Sequence, residues 1–106
     1  MPEPFIVVLP DREYDVYNTS VLSEALASTL DHREVIVDFK HVRHIDSTAL
    51  GVLVGIRKRR GALGFPPMRF IGTSKAVRMI LRVSSLDQIW PVYDTLEEAI
   101  ASFSDL

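Results

Sequence analysis

The residues with the most chemical potential lie in one short segment, Asp46-Ser47-Thr48, where two hydroxyls follow a carboxylate directly before an apolar, helix-like pattern. In the first turn of a helix the backbone N–H groups are unpaired and the helix dipole is positive. A short polar side chain there can cap the helix, bind an anion or be modified. Capping is the usual role of these residue types, and local physics alone does not select among the three.

A serine between a strand and a helix is also the outline of a nucleophile elbow, the G-x-S-x-G turn of many hydrolases. In this chain Ile45 and Ala49 stand where the two glycines permit that strained turn. His44 and Asp46 are sequence neighbours of Ser47, whereas a catalytic triad brings together side chains from separate parts of a fold. We therefore predict a binding domain and not an enzyme.

The sequence offers no pattern for a metal or a cofactor. Its three histidines, His32, His41 and His44, show neither an H-x-H nor an H-E-x-x-H spacing, and the chain contains no cysteine. Gly61 and Gly64 are not followed by the Gly-Lys-Ser/Thr of a Walker-type phosphate loop. Metal centres, disulfides and phosphate loops are therefore not indicated, and we predict no metal and no cofactor.

Charge and hydropathy limit the partners. The 106 residues hold 12 Lys and Arg against 14 Asp and Glu, a formal net charge of −2, which gives no overall field for nucleic acid. The basic cluster over 57–60 is predicted as the solvated last turn of a helix. The longest apolar run, residues 49–56, is too short for a bilayer, and the N-terminus lacks a basic targeting region. We expect a cytoplasmic protein without direct contact to nucleic acid or membrane.

The elements that position the hydroxyl segment follow from hydrophobic periods of two and 3.6 residues. Strands are predicted over 5–9, 34–39 and 68–71, with a central place for 34–39, an edge strand over 89–92, and extended pieces over 13–16 and 42–45. Helices are predicted from Asn18 or Thr19 to Leu30, from Ala49 to Gly61, after Ser74 and after Thr95, the last with a capping box and an inward face listed as Leu96, Ala99, Ile100 and Phe103. Trp90 is predicted in the core.

This alternation predicts an α/β fold in one domain over 1–106. The sheet is expected to be mixed but mainly parallel, with four to five strands and about four helices packed on it. Residues 13–16 are expected to return beside the first strand, and the mainly parallel sheet is expected to include an antiparallel N-terminal strand.

Two segments resemble the signature of STAS domains, in which a strand leads through an Asp-Ser-Ser/Thr-Gly/Ala-Leu-Gly loop into a helix. They are residues 35–39, VIVDF, and residues 45–53, IDSTALGVL. The resemblance continues in residues 74–81, SKAVRMIL, in 86–92, LDQIWPV, and in 96–99, LEEA, and so covers nearly the whole chain. It implies a STAS-like fold for the single domain.

The resemblance also implies a function, that of an anti-sigma factor antagonist regulating transcription by partner switching. In such antagonists the residue after the loop aspartate is phosphorylated by an anti-sigma factor serine kinase, and the unmodified form binds that kinase. Carried over, the acceptor is Ser47, with Thr48 as the alternative, and the partner-binding residues are Asp15, Asp46, Ser47, Thr48 and Leu50. Asp15 matches the acidic residue that closes the family's N-terminal hairpin. A phosphatase acting on the phosphorylated form is the second implied partner.

The chain departs from the family pattern at three places. It has Ala49 where glycine is frequent, Gly64-Phe65-Pro66-Pro67 where a glycine pair is usual, and Ser85 where glycine is usual. These differences concern loop shape and partner choice. The alternative reading keeps the fold and makes the chain a constitutive scaffold or regulatory module of a larger signalling or transport assembly, without a phosphoswitch.

Overall fold

The computed structural model describes residues 3–105, with side chains up to 104, so residues 1, 2 and 106 of the predicted domain lie outside it. Strands and helices alternate as the hydrophobic periods predict. The elements are β1 Phe5–Val8, β2 Glu13–Tyr14, α1 Thr19–Ala27, β3 Val35–Asp38, β4 His44–Ile45, α2 Ser47–Ala62, β5 Arg69–Ile71, α3 Lys75–Val83, β6 Val92–Tyr93 and α4 Leu96–Ser102. No helix in this described range is both long and apolar enough to cross a membrane.

Four strands form one parallel sheet in the order β1-β3-β5-β6. β3 lies between β1 and β5, and its residues Val35, Ile36 and Val37 are fully buried, as expected for a strand covered on both faces. The predicted central strand is thereby confirmed. The predicted antiparallel N-terminal strand is wrong, because α1 crosses over between β1 and β3 and returns the chain in the same direction.

A separate two-residue ladder joins β2 to β4, again in parallel. Tyr14 lies opposite Ile45, and the Asp46 N–H continues the ladder by donating to the Tyr14 carbonyl oxygen at 3.1 Å. The expectation that residues 13–16 return beside β1 is therefore wrong, and so is a hairpin closed at Asp15. Pro10 follows β1 and has no N–H to donate, so the β1 ladder ends before it.

The two faces of the sheet carry different cores. α1, α2 and α3 pack on one face, and α4 covers part of the other. The larger core includes Leu22, Leu26, Val35, Val37, Leu53, Phe70, Val77 and Leu81. The smaller core consists of Ile36, Ile71, Ala99 and Phe103. Ile100, predicted to face inward, is 39% exposed, because the short helix α4 presents Ala99 and Phe103 to the sheet instead.

Two predicted helix caps are confirmed. Ser74 caps α3 by accepting a hydrogen bond from the Val77 N–H at 3.1 Å. Thr95 caps α4 by accepting from the Glu98 N–H at 3.1 Å, and the Glu98 carboxylate lies 3.0 Å from the Thr95 hydroxyl. Each cap satisfies one of the four backbone donors that a helix leaves unpaired at its start.

α2 ends in a Schellman motif. The Phe65 N–H donates to the Arg60 carbonyl oxygen and the Gly64 N–H donates to the Gly61 carbonyl oxygen, both at 3.0 Å, with Gly64 at a φ of 76°. Residues 57–59 are exposed, as predicted for a solvated last turn. Arg60 is not: it is 2% exposed, because α2 packs this position against the turn after α1. Its guanidinium donates to the carbonyl oxygens of Thr29, His32, Arg33 and Pro66.

The chain between α3 and β6 turns at Ser85, which has a left-handed backbone with φ of 57°. Glycine adopts this conformation without strain. Ser85 therefore has the backbone conformation that suits the glycine usually found at this position in the STAS pattern. The predicted edge strand over 89–92 begins later, at Val92, because a 3-10 turn occupies Leu86–Gln88 and Pro91 has no N–H. Trp90 is fully buried and stacks on Phe70, which confirms its predicted core position.

Candidate functional site

Ser47 is the first residue of α2, the helix that begins directly after β4 and the N-cap residue Asp46. Asp46 has an extended backbone, with φ of −100° and ψ of −177°, and its carboxylate accepts a hydrogen bond from the Ala49 N–H at 2.9 Å. Its carbonyl oxygen accepts from the Leu50 N–H at 3.0 Å. The Asp46 carboxylate therefore holds the start of the helix, as the capping interpretation predicts.

Buried residues on both sides fix this turn. Ile45 before it and Ala49 after it both belong to the larger core. Ser47 and Thr48 lie between these anchors and are exposed. The positive end of the α2 dipole and the unpaired N–H groups of the first turn lie beside both hydroxyls. The fold thus presents two accessible hydroxyls on a rigid support in a local field that favours an anion.

The β2–β4 ladder brings a second segment to the same surface. Tyr14 pairs with Ile45, and the two strands run parallel. The residues that follow them, Asp15 and Asp46, therefore lie at the same end of the ladder. Both segments then enter helices, α1 and α2, which pack against each other. This small ladder is therefore the element that places Asp15 beside the start of α2.

The loop between β2 and α1 is held by its own side chains. The Asn18 Oδ1 atom accepts from the Asp15 N–H at 2.8 Å, and the Asn18 amide donates to the Glu13 carbonyl oxygen at 2.8 Å. The Asp15 carboxylate accepts from the Tyr17 N–H at 2.9 Å. Asn18 is one of the two predicted starts of α1 and occupies its N-cap position, but its side chain makes no cap hydrogen bond. Its amide stabilises the loop beside Ser47 instead.

Tyr14 supports this loop from the core. Its side chain is fully buried, and its hydroxyl accepts a hydrogen bond from the Asp11 N–H at 3.1 Å. Burial raises the pKa of the Tyr14 phenol above its ordinary value, because the ionised form would lose its hydration. The phenol therefore stays neutral at ordinary pH.

The five predicted partner-contact residues do not lie equally near the surface. Ser47 and Thr48 are exposed, while Asp15 and Asp46 are half-buried at the same end of the ladder. Leu50 is only 7% exposed and packs in the larger core, so little of its side chain is available to a partner. Its evident structural role is to seat the first turn of α2.

Three exposed residues at this surface were missed by the sequence reasoning. Val16 is 60% exposed and Tyr17 is 92% exposed, directly after Asp15. Gly51 lies one turn after Ser47, and a Cβ atom built on it would meet nothing beyond its own helix turn within 4 Å. Val16 was assigned to a strand because of its type, whereas β2 already ends at Tyr14. Together these residues give the surface an apolar margin and an open helix face.

The site offers accessible hydroxyls rather than metal-binding groups. Within residues 3–105 no group of three or more His, Asp and Glu side chains could hold a metal ion. Ser47 and Thr48 are suited to accept a transferred group, because both are exposed and the helix start stabilises added negative charge.

Comparison with known proteins gives the family of this chain. A family model for the STAS domain matches residues 2–99. A Thermotoga neapolitana protein provisionally named an anti-sigma factor antagonist is 25% identical over 101 residues, covering 92% of this chain and 88% of the relative.

Solved structures of similar proteins have the same fold. The STAS domain protein of Planctomyces limnophilus has a TM-score of 0.83 at 19% identity, covering 93% of this chain and 89% of that one. The anti-sigma factor antagonist SpoIIAA in its unphosphorylated form has a TM-score of 0.74 at 20% identity, covering 100% and 94%. Bacillus SpoIIAA in its phosphorylated form has a TM-score of 0.65 at 19% identity, covering 92% and 88%. The family model spans most of the chain and the fold agrees with it, so this protein belongs to the STAS domain family.

Proposed function

We propose that this STAS domain is an anti-sigma factor antagonist that binds an anti-sigma factor serine kinase and is released when Ser47 is phosphorylated. The observation that carries the proposal is the exposed Ser47 at the first position of α2, beside the capping Asp46. The names of the Thermotoga relative and of SpoIIAA support the same role. The kinase and its ATP would place this exchange in the cytoplasm.

The proposed modification is a phosphoryl transfer from ATP bound to the kinase. The Ser47 oxygen forms the new bond to phosphorus, the bond to ADP breaks, and a base of the kinase takes the hydroxyl proton. The unphosphorylated form is restored when a phosphatase hydrolyses the phosphoserine and releases inorganic phosphate. The exposed position of Ser47 supports access by both enzymes.

The domain itself should tolerate the phosphate. The added charge of about −1.5 to −2 would lie at a helix start, where unpaired N–H groups and the helix dipole favour an anion. SpoIIAA supports this reasoning, since both its unphosphorylated and its phosphorylated form have the fold of this chain. The switch then acts on the interface: a partner packed on Ser47 would have to desolvate the phosphate or accept repulsion from its own carboxylates.

The proposed interface consists of the start of α2 and the loop after β2. Val16 and Tyr17 provide exposed apolar contact area, and the open face at Gly51 lets a partner approach the helix closely. Aromatic residues such as Tyr17 frequently supply much of the binding energy at an interface. Asp15 and Asp46 lie behind this surface and fix its shape through their backbone contacts.

The test uses immobilised wild-type, Ser47→Ala and Ser47→Asp proteins in lysate of the source organism. We expect a protein with a serine-kinase domain on the wild-type and Ser47→Ala baits and its loss from Ser47→Asp. The purified kinase with ATP should then phosphorylate the wild type at residue 47, as located by mass spectrometry, and leave Ser47→Ala unmodified. Phosphate on Thr48 alone would move the acceptor by one residue and contradict the assignment.

A steric pair of variants tests the surface without changing its charge. Gly51→Gln and Gly61→Gln add the same side chain near opposite ends of α2, at two positions where an added Cβ atom meets nothing beyond its own helix turn within 4 Å. The change at Gly51 should remove the kinase from the bait, while the change at Gly61 should not. If all baits retain the same partners, the domain is a constitutive module and Ser47 has no switching role.

A further inference from the structure

The parallel sheet ends at β1, whose outer edge is open. In the order β1-β3-β5-β6 the strand β1 pairs with β3, and no strand lies on its other side among the residues that the structure describes. The opposite edge strand, β6, has only two residues, whereas β1 has four. An open edge presents a row of backbone donors and acceptors with which another strand can pair.

The outward backbone groups of this edge belong to Ile6 and Val8. The N–H groups of Phe5 and Leu9 donate to carbonyl oxygens on the β3 side, at 2.8 and 3.1 Å. Odd-numbered residues of β1 therefore direct their backbone groups toward β3, and the even-numbered residues between them direct theirs to the outside. No turn or loop within residues 3–105 supplies a backbone partner to Ile6 or Val8.

The side chains of the same two residues form an uncovered apolar strip. Ile6 is 42% exposed and Val8 is 41% exposed. Ile6 lies beside Ile36 of β3, on the face of the sheet where α4 packs on β5 and β6 and leaves β1 open. Natural proteins usually protect an edge strand with a charged side chain or a bulge. The segment Phe5–Val8 has no charge, and its register with β3 has no bulge.

Two prolines bound this edge and select a register for a pairing strand. Pro4 and Pro10 are the next even-numbered residues on either side, and neither has an N–H to donate. When a second copy pairs antiparallel about a twofold axis at Val7, Ile6 of each copy faces Val8 of the other. Every outward N–H and carbonyl oxygen of these residues is then paired, in four hydrogen bonds. A shift by two residues would place a proline ring against the carbonyl oxygen of Ile6 or Val8.

We propose that a second copy of this chain pairs with β1 along its open edge, antiparallel and with twofold symmetry. The occupant follows from self-complementarity, because the same segment supplies two donors, two acceptors and a proline at each end of the ladder. Ile6 and Val8 also gain an apolar neighbour across the axis. The contact is small, so we expect a dissociation constant between about 10 µM and 1 mM. This dimer goes beyond the proposed switch and does not involve Ser47.

Introduced cysteines test the register, because the chain has none of its own. In the proposed dimer the Cα atoms of residue 6 and residue 8 of the other copy lie about 5.5 Å apart, which a disulfide can span. Two residues 6 lie about 8–9 Å apart, which is too far. Under mild oxidation, a mixture of Ile6→Cys and Val8→Cys chains should therefore form the mixed disulfide in at least about tenfold excess over either homodimer. A statistical mixture of the three disulfides, identified by mass, would overturn the proposal.

Sedimentation equilibrium of the full chain, up to about 1 mM, tests the dimer itself. We expect the variant Ile6→Lys with Val8→Lys to be monomeric at concentrations where the wild type is dimeric, because like charges then face each other across the axis. The matched control Met79→Lys with Val83→Lys adds the same charges at two exposed positions of α3 and should keep the dimer. Trp90 fluorescence verifies that each variant is folded. A wild type that stays monomeric at about 1 mM, or a dimer retained by the β1 variant, would contradict the proposal.

Discussion

Replacement of Ser47 by Asp should leave the fold intact while it mimics the charge of a phosphate. Ser47 is exposed at the first position of α2, where a negative charge gains about 0.3–1 kcal/mol from the helix dipole. The Asp46 carboxylate opposes this gain, because two carboxylates about 6 Å apart in water repel each other by about 0.7 kcal/mol. The two contributions nearly cancel, so the free energy of unfolding should change by less than about 1 kcal/mol.

Urea denaturation followed by Trp90 fluorescence measures this change. With a slope of about 1.5 kcal/mol per molar urea, the midpoint should move by less than about 0.7 M. Ser47→Asn, which has the same shape without the charge, is the matched control and should also lie close to the wild type. A loss of more than about 2 kcal/mol in Ser47→Asp, with Ser47→Asn unchanged, would instead show that a negative charge at residue 47 destabilises the domain.

Four further changes are predicted from the same contacts, each measured by urea denaturation. Asp46→Ala removes the cap of α2 and should lower the free energy of unfolding by about 1 kcal/mol. Arg60→Met leaves buried carbonyl oxygens without a donor and should lower the free energy of unfolding by about 3 kcal/mol. The control Arg59→Met changes an exposed neighbour and should lower it by less than about 0.5 kcal/mol. Ser85→Gly removes the strain of a left-handed backbone. It should raise the free energy of unfolding by about 0.5–1 kcal/mol after subtraction of the extra conformational entropy that glycine gives the unfolded chain. Tyr14→Phe should remove a loss of stability that the wild type shows at alkaline pH.

The sign of the Tyr14 effect follows from its raised folded-state pKa. Below the unfolded value of about 10 both states hold the phenolic proton and the stability is fully present. Above that value the unfolded chain loses the proton first, so the wild type loses stability as pH rises through the folded-state pKa. A stability difference between wild type and Tyr14→Phe that is constant from pH 8 to about pH 11 would contradict this account. Equal losses in Arg60→Met and Arg59→Met would contradict the buried role of Arg60.

Much of the fold could be predicted because several elements depend on local sequence. β3 is a short β-branched run that is buried on both faces, and its period and composition indicate this directly. α3 and α4 begin at the caps Ser74 and Thr95. Each cap accepts a hydrogen bond from the residue three positions further along the chain, so the signal is local. The hydroxyl segment of Ser47 was placed correctly at a helix start for the same reason.

The features that the sequence did not reveal depend on contacts between distant segments. The pairing of β2 with β4 needs only two residues from each strand, too few for a periodic signal. Arg60 belongs by type to the solvated basic cluster, and only the packing of α2 against the turn after α1 buries it. The exposure of Tyr17 likewise follows from where β2 ends, which local propensity does not determine.

Phosphorylation of Ser47 is proposed to change partner binding and not the fold. Calorimetric titration of the purified kinase with unmodified chain and with chain phosphorylated at Ser47 tests it most directly. The phosphorylated chain should bind at least about a hundredfold more weakly, because the partner must desolvate a charged group at the centre of the contact. Equal affinities for the two forms would contradict it and leave Ser47 as a residue of the helix start alone.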